Sequence, residues 1–243
     1  MKSNLTKQQQ QLVRSPEFKK WFGDWENSPL TASKVVDENG EPLVVYHGTN
    51  KDFYIFCDKH KGTNTTDENT KFGYFFSKYI DEAKVYMREA IWKDTPEKYN
   101  ELFGARIIEC FLNIKNPLIV GYAESNNIEK IESRMTENND GISDERGDFI
   151  CFNSNQIKLA DGSNTKFDGN SNDIRFSGGG AITSKGIFKS LGSAKELGIT
   201  PKIEGHDMIA KCDCGEKFSY QNSKKNIVWE CPECKGMKRL KTS

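Results

Sequence analysis

The residues whose types and spacing speak most directly of chemistry are four cysteines near the end of the chain. Cys212-Asp213-Cys214-Gly215 and Cys231-Pro232-Glu233-Cys234-Lys235-Gly236 form two short knuckles, with sixteen residues between Cys214 and Cys231. Each knuckle presents two thiolates on one side of a turn, and two such turns complete the tetrahedral set of sulfurs that Zn²⁺ prefers. With Cys212, Cys214, Cys231 and Cys234 all supplied by protein, no position is left for water, so the expected role of the zinc is structural. A module this small has little core of its own and is expected to need the metal to fold. The other three cysteines, Cys57, Cys110 and Cys151, are scattered. An odd total with CxC and CxxC spacing fits a reducing compartment and a metal site better than a disulfide framework.

A second group of residues lies upstream, in chain order: Tyr46-His47-Gly48-Thr49, then Phe72-Gly73-Tyr74-Phe75-Phe76-Ser77, then Tyr86, and then Asp148-Phe149-Ile150-Cys151-Phe152-Asn153. Taken singly these have ordinary structural explanations: a strand-end histidine, core aromatics, a carboxylate at a strand start. Their order is what carries information.

The elements that must position them can be read from periodicity. Ser15 and Pro16 open a helix, with Phe18, Trp21 and Phe22 along one face. Val35-Val36, the turn Asp37-Glu38-Asn39-Gly40 and Pro42 to Tyr46 make a hairpin that delivers His47-Gly48-Thr49 at the end of its second strand. Lys59 to Lys71 is a polar loop of the kind that covers a site. Phe72 to Ser77 is a short strand, and a helix runs from about Asp81 to Ile91. Strands follow at Ala105–Leu112 and Leu118–Val120, then a helix at Glu124–Met135, an acidic turn-rich loop at Asn138–Gly147, and a buried strand at Asp148–Phe152. Residues 161–180 are Asn/Gly/Asp-rich and close on Gly178-Gly179-Gly180, a domain boundary. Helical fragments at Gly186–Leu191 and Ala194–Leu197 lead to the cysteine module, where Lys217–Tyr220 and Ile227–Glu230 suit the strands of a zinc-ribbon hairpin. The division expected is therefore an N-terminal helical segment at 1–30 packed on the core, a main domain at 31–177, a linker at 178–205 and a zinc ribbon at 206–243.

Composition sets the outer limits. The chain has 243 residues, 35% hydrophobic and 11% aromatic, with equal numbers of basic and acidic residues and a mean hydropathy of −0.72. Enough aromatic material is present for a packed core. Zero formal charge argues against a chain dedicated to nucleic acid or membranes. From Ala181 to Ser243 there are 12 Lys/Arg and 7 Asp/Glu, so this tail is basic and the remainder acidic. Lys235, Lys238, Arg239 and Lys241 make a nucleic-acid contact through the tail one option, a partner protein the other. No apolar run of membrane-spanning length and no signal-like start is present, so the expectation is a cytoplasmic protein. Many short strands and few long helices give an α+β class with an antiparallel or split sheet.

Together, the upstream motifs resemble those of ADP-ribosyltransferases of the His-Tyr-Glu class, which includes the poly-ADP-ribose polymerases and diphtheria-like toxins. The likeness extends over residues 15–178 and is particularly to ADP-ribosyltransferase domains of large phage and mobile-element polyproteins, which carry stretches like Phe18–Trp25, Ser33–Thr49, Phe111–Leu118, Ser154–Ala160 and Phe167–Ser177. The resemblance implies a split antiparallel sheet with flanking helices, NAD⁺ as substrate, and transfer of ADP-ribose to a macromolecule such as a host protein, inside a bacterium or an infected cell. It also implies residue roles. His47 would hydrogen-bond the adenosine-side ribose, the Gly48 backbone would hold the nicotinamide amide with Ser77 reaching in, and Thr49 would also belong to the NAD⁺ site. Phe75 and Tyr86 would clamp the nicotinamide ring. Asp148 would be the catalytic carboxylate, together with His47.

The set makes chemical sense. Cleaving the glycosidic bond of NAD⁺ leaves a ribosyl oxocarbenium ion, which a nearby carboxylate stabilises, while aromatic faces hold the leaving ring. Three positions depart from the family pattern. Asp148 stands where the family has glutamate and is shorter by roughly 1.5 Å of reach, with Glu145 as a candidate substitute. Phe75 replaces a tyrosine, and Ala83 occupies the position of a serine, for which Ser77 offers a hydroxyl. Other readings are an NAD⁺ glycohydrolase with water as acceptor, and a non-catalytic interaction module. An RNA 2′-phosphotransferase-like protein would want an Arg/His phosphate set that the sequence does not offer.

Overall fold

The computed structural model describes residues 3–51, 53–61, 68–94, 106–121, 123–162 and 164–175, and beyond them six strands between residues 187 and 240. At the N-terminus, helix α1 (Lys7–Leu12) begins at a capping box in which Thr6 accepts from the Gln9 amide and the Gln9 side chain returns to the Thr6 N–H. Helix α2 (Pro16–Phe22) is capped by Ser15, whose hydroxyl oxygen accepts from Phe18 N–H at 3.2 Å. The i, i+3, i+4 aromatic stripe on α2 is a packing face. Phe18 stacks on Phe22 at 4.9 Å and meets Phe111 and Phe167 edge-on at 5.1 and 4.9 Å. Such ring pairs contribute about 0.5–1.5 kcal/mol each beyond the area they bury.

The core is a seven-stranded sheet. Its strands are β1 (Val45–Thr49), β2 (Tyr74–Ser77), β3 (Arg106–Leu112), β4 (Pro117–Val120), β5 (Gly141–Asp144), β6 (Asp148–Cys151) and β7 (Ile157–Leu159). They lie in the order β4-β5-β6-β2-β1-β3-β7. Helices α3 (Ile80–Asp94) and α4 (Ile128–Arg134) interrupt this run. The sheet is mixed, where the sequence pointed to an antiparallel one: β4 and β5 run parallel, Pro117 opposite Gly141. Strand β5 falls inside the stretch read from sequence as an acidic loop. Gly141-Ile142-Ser143-Asp144 has little intrinsic strand preference, and it is the pairing on both sides, with β4 and β6, that makes it one.

Residues directly opposite each other in a ladder share a face of the sheet, and faces alternate along each strand. One face collects Val45, Tyr74, Phe76, Ile108, Cys110, Leu112, Phe149, Cys151, Ile157 and Leu159 into a single core, closed by Phe56 and Ile174 from loops. The other face carries two clusters. Phe111 meets the aromatic stripe of α2 over one end of the sheet. Leu118, Val120, Ile142 and Ile150 pack with Ile131 of α4 over the other. Helix α3 lies between them, over β1.

Gly48 is what lets α3 come so close. A Cβ on Gly48 would stand 1.8 Å from the Ala83 carbonyl oxygen and 2.9 Å from the Met87 nitrogen, so helix backbone occupies the space of the missing side chain. Gly48→Ala should therefore push α3 off the sheet, at a cost of about 1–3 kcal/mol for overpacking of this kind. The expected result is a clearly lowered melting temperature; a melting curve equal to the wild type's overturns the assignment of Gly48 to helix seating.

Two further three-stranded sheets involve β8 (Ile187–Ser190), β9 (Lys202–Glu204), β10 (Asp207–Lys211), β11 (Lys217–Gln221), β12 (Ile227–Glu230) and β13 (Met237–Leu240). Their orders are β11-β10-β9 and β13-β12-β8. Two sequence expectations are corrected. The helical fragment at Gly186–Leu191 is instead strand β8, because Ile187–Ser190 pairs antiparallel with Glu230–Ile227. Lys217–Tyr220 and Ile227–Glu230 are strands, but they belong to different sheets and do not form a hairpin with each other. The fragment at Ala194–Leu197 lies outside the described residues.

Candidate functional site

The site begins where the sheet comes apart. Strand β1 pairs with β3 along all five of its residues, from Val45↔Cys110 to Thr49↔Arg106. With β2 on its other side it shares a single register pair, Tyr46↔Ser77. Beyond that pair the two strands diverge, leaving a fork bounded by His47-Gly48-Thr49 on one side and by Phe75 on the other.

His47 spans the fork. Its Nδ1 is 2.8 Å from the Phe75 carbonyl oxygen. A carbonyl only accepts, so Nδ1 carries the proton and, in the neutral ring, Nε2 is left as an acceptor. Neutrality is enforced by the surroundings. Burial is the main cause that brings the imidazole down to about 4; the Phe75 carbonyl works against it and the Arg106 charge adds to it. The ring is packed by Phe56 at 4.9 Å, Phe76 at 5.4 Å and Phe53 at 6.2 Å. Thr49 is buried, and its hydroxyl oxygen accepts from Lys51 N–H at 3.0 Å, which turns the chain at the strand end.

The carboxylate group lies on the face opposite that ring. Ser77 and Asp148 are directly opposite each other on β2 and β6, and Phe75 opposite Ile150. All four therefore share the α3 face, whereas His47 lies on the other by alternation from Tyr46. Phe75 is half-buried and packs against the cluster of Leu118, Val120, Ile131, Ile142 and Ile150. Asp148 is placed by a tight turn. The buried Asp144 carboxylate takes the N–H groups of Arg146, Gly147 and Asp148 on Oδ1, at 2.9, 3.0 and 2.9 Å, and the Arg146 Nε on Oδ2 at 2.9 Å. Gly147 sits at φ +96, a left-handed conformation that suits glycine, and the Lys78 side chain lies where its Cβ would be.

Helix α3 brings the remaining groups. Glu82, in its first turn, accepts from the Ser77 hydroxyl at 2.5 Å. Tyr86 follows one turn later on the same side of the helix, 40% exposed. Tyr86 lies near Arg146: although burial opposes it, the Asp144 hydrogen bond and charge, then Asp148 and the Tyr86 phenol, hold that guanidinium above its ordinary value. Arg146 is also 3.7 Å from Asp148 Oδ2. Asp148 itself is pushed up to about 6. Burial is the largest cause, the Ser77 hydroxyl opposes it, and the Asp144 and Glu82 carboxylates reinforce it.

Of the residues singled out in the sequence, the structure thus gathers Ser77, Asp148 and, through Arg146, Tyr86 into one cluster beside Phe75. His47 is joined to that cluster across the fork through the Phe75 carbonyl and not by a shared face. Glu145, a candidate substitute for Asp148, is exposed and its carboxylate lies toward Gly121. The carboxylate that accompanies Asp148 is Glu82. Sequence reasoning also passed over Asp144 and Arg146, although Asp144-Glu145-Arg146-Gly147 carries a turn signature of Asp at the first position and Gly at the fourth. Glu82 has no such signal, because only the seating of α3 brings it to Ser77.

Cys212, Cys214, Cys231 and Cys234 lie outside the described residues, but the strands around them are described. Strands β10 and β11 pair antiparallel down to Lys211↔Lys217, and the connection between these two residues carries Cys212 and Cys214. Strands β12 and β13 pair down to Glu230↔Met237, and that connection carries Cys231 and Cys234. Among the described residues, no group of three or more His, Cys, Asp or Glu could hold a metal ion. Among them, too, no helix is long and apolar enough to cross a membrane.

Residues 37–143 match the family model described as "ADP-Ribosyltransferase in polyvalent proteins". That is less than half of the chain. It takes in His47, Gly48, Thr49, Phe75, Ser77, Glu82 and Tyr86 and stops five residues before Asp148. This segment is similar to that ADP-ribosyltransferase family. No match was found among the curated proteins or among the solved structures.

Proposed function

We propose, from that family match and from the forked sheet, that the chain breaks the nicotinamide–ribose bond of NAD⁺ and transfers ADP-ribose to a macromolecular acceptor, a protein. The single observation that carries the reading is the fork between β1 and β2. It leaves a gap in an otherwise continuous ladder, with an acceptor nitrogen on one side and a carboxylate cluster on the other.

In this reading the nicotinamide ring lies at the fork between Phe75 and Tyr86, with its amide held by the Gly48 backbone. His47, fixed as the Nδ1–H tautomer, accepts from a hydroxyl of the adenosine-side ribose through Nε2. Asp148 accepts from the 2′-hydroxyl of the nicotinamide ribose. As the C1′–N bond breaks, its electron pair leaves with nicotinamide, which departs neutral, and positive charge grows on the ribose. The Asp148 carboxylate steadies that charge. The acceptor's nucleophile then bonds to C1′ and gives up its proton to water.

The second part of the proposal concerns the tail. Cys212, Cys214, Cys231 and Cys234 bind one structural Zn²⁺, forming a zinc ribbon whose Lys235, Lys238, Arg239 and Lys241 contact the acceptor protein or a nucleic acid. Two antiparallel strand pairs, β10–β11 and β12–β13, each joined in sequence across a cysteine pair, support this part.

Labelled NAD⁺ incubated with the protein and a bacterial lysate tests the reaction. Label that survives nuclease but not protease supports transfer to protein, and free ADP-ribose alone supports the glycohydrolase reading. Intact NAD⁺ overturns both.

A further inference from the structure

We propose that Glu82 is the second carboxylate of this site, a positioning residue that shares one proton and one negative charge with Asp148 across the Ser77 hydroxyl. The inference rests on the ADP-ribosyltransferase reading for its purpose, and on geometry for the pairing itself.

Ser77 stands opposite Asp148 on the neighbouring strand and donates to Glu82 Oε2 at 2.5 Å, while its oxygen accepts from Tyr79 N–H at 3.2 Å. A hydroxyl has one proton. Spent on Glu82, it leaves Asp148 without a donor from Ser77, and Asp148 Oδ1 is buried with no hydrogen-bond partner among the described residues. A buried carboxylate oxygen in that state is costly. A proton on Asp148 removes the cost, because it gives the acid a donor with Glu82 at hand to accept.

The charges around the pair favour retention of that proton. Facing Asp148 are Glu82 and Tyr86 from α3, Ser77 from β2, Asp144 from β5 and Arg146 from the β5–β6 turn, with the Lys78 side chain over Gly147. Asp144 is already saturated by three backbone N–H groups and the Arg146 Nε. It adds negative charge and no donor. Neighbouring like charges of this kind keep one carboxyl of a pair protonated, and the upward displacement of Asp148 agrees.

The arrangement answers the short reach of aspartate. As positive charge develops on the ribose, the shared proton passes from Asp148 to Glu82 and the single negative charge settles on Asp148, facing the sugar. The proton and charge count of the pair is unchanged throughout. A lone aspartate would have to be ionised in advance among Asp144 and Glu82 with no such outlet.

The test is the titration of the Asp148 side chain, followed by ¹³C-detected carboxyl resonances in the full chain without NAD⁺. In Glu82→Gln the loss of a like charge should bring the Asp148 midpoint down by about one unit, whereas Ser77→Ala, which frees Glu82 Oε2 to accept from the Asp148 proton, should raise it. Turnover of E82Q should fall about a hundredfold, at the low end of the range typical of a lost proton-transfer partner, with KM for NAD⁺ within about twofold. An Asp148 titration in E82Q that superimposes on the wild type overturns the proposal. A displaced titration in a protein that leaves NAD⁺ intact supports the pair and overturns the proposed reaction instead.

Discussion

On the proposed reaction, Asp148→Asn should lower the rate of NAD⁺ cleavage about a thousandfold, while NAD⁺ still binds. Removing one well-placed electrostatic stabiliser from a water-excluded site costs about 10²–10³ in kcat, and a thousandfold is about 4 kcal/mol of transition-state stabilisation. Binding survives because, apart from the Asp148 contact to the 2′-hydroxyl, the contacts proposed for the dinucleotide are made by Phe75, Tyr86, Gly48 and His47, which the substitution does not touch. The same residue sets the pH response. With Asp148 pushed up to about 6, the proton it shares with Glu82 is lost as pH rises through 6, so kcat should fall between pH 5 and 7 and then level.

Stability should move the other way. An acid whose folded pKa exceeds its unfolded one binds more protons when folded, so the protein loses stability as pH rises toward 6. D148N should therefore melt higher than the wild type at pH 7 and lose most of that advantage at pH 4. A variant that turns over NAD⁺ at the wild-type rate would falsify the catalytic assignment. One that is no more stable at pH 7 would show that the strain at Asp148 is not electrostatic.

Removing zinc should undo the tail. Structural zinc sites of four thiolates return about 10–16 kcal/mol of apparent binding energy at neutral pH, far more than two three-stranded sheets built on strands of three to five residues supply from their own cores. Freshly purified protein is expected to hold one zinc per chain. Cys231→Ser with Cys234→Ser should abolish that content and make the segment between Ile187 and Leu240 sensitive to protease. Protein that carries no metal as isolated, or a protease pattern unchanged in the double variant, sinks the zinc ribbon.

The contrast between Glu82 and Asp148 shows what kind of information each level holds. The sequence by itself determined the strongly patterned local elements. The Ser15–Pro16 cap with its aromatic stripe, the strands around Tyr46, Phe75 and Ile108, and the helix carrying Tyr86 are written in capping chemistry and hydrophobic period, which act over a few residues. The order of His47, Phe75, Tyr86 and Asp148 along the chain was enough to suggest a reaction.

Only the tertiary structure decided the rest, because the forces concerned act between residues distant in the chain. Gly141–Asp144 and Ile187–Ser190 became strands through partners on other segments, against weak or misleading local preference. The fork exists because β1 keeps five partners on β3 and one on β2, a balance no local pattern encodes. Glu82 entered the site because Gly48 lets a helix backbone settle where a side chain would otherwise stand, while Glu145, on the β5–β6 turn, lies toward Gly121.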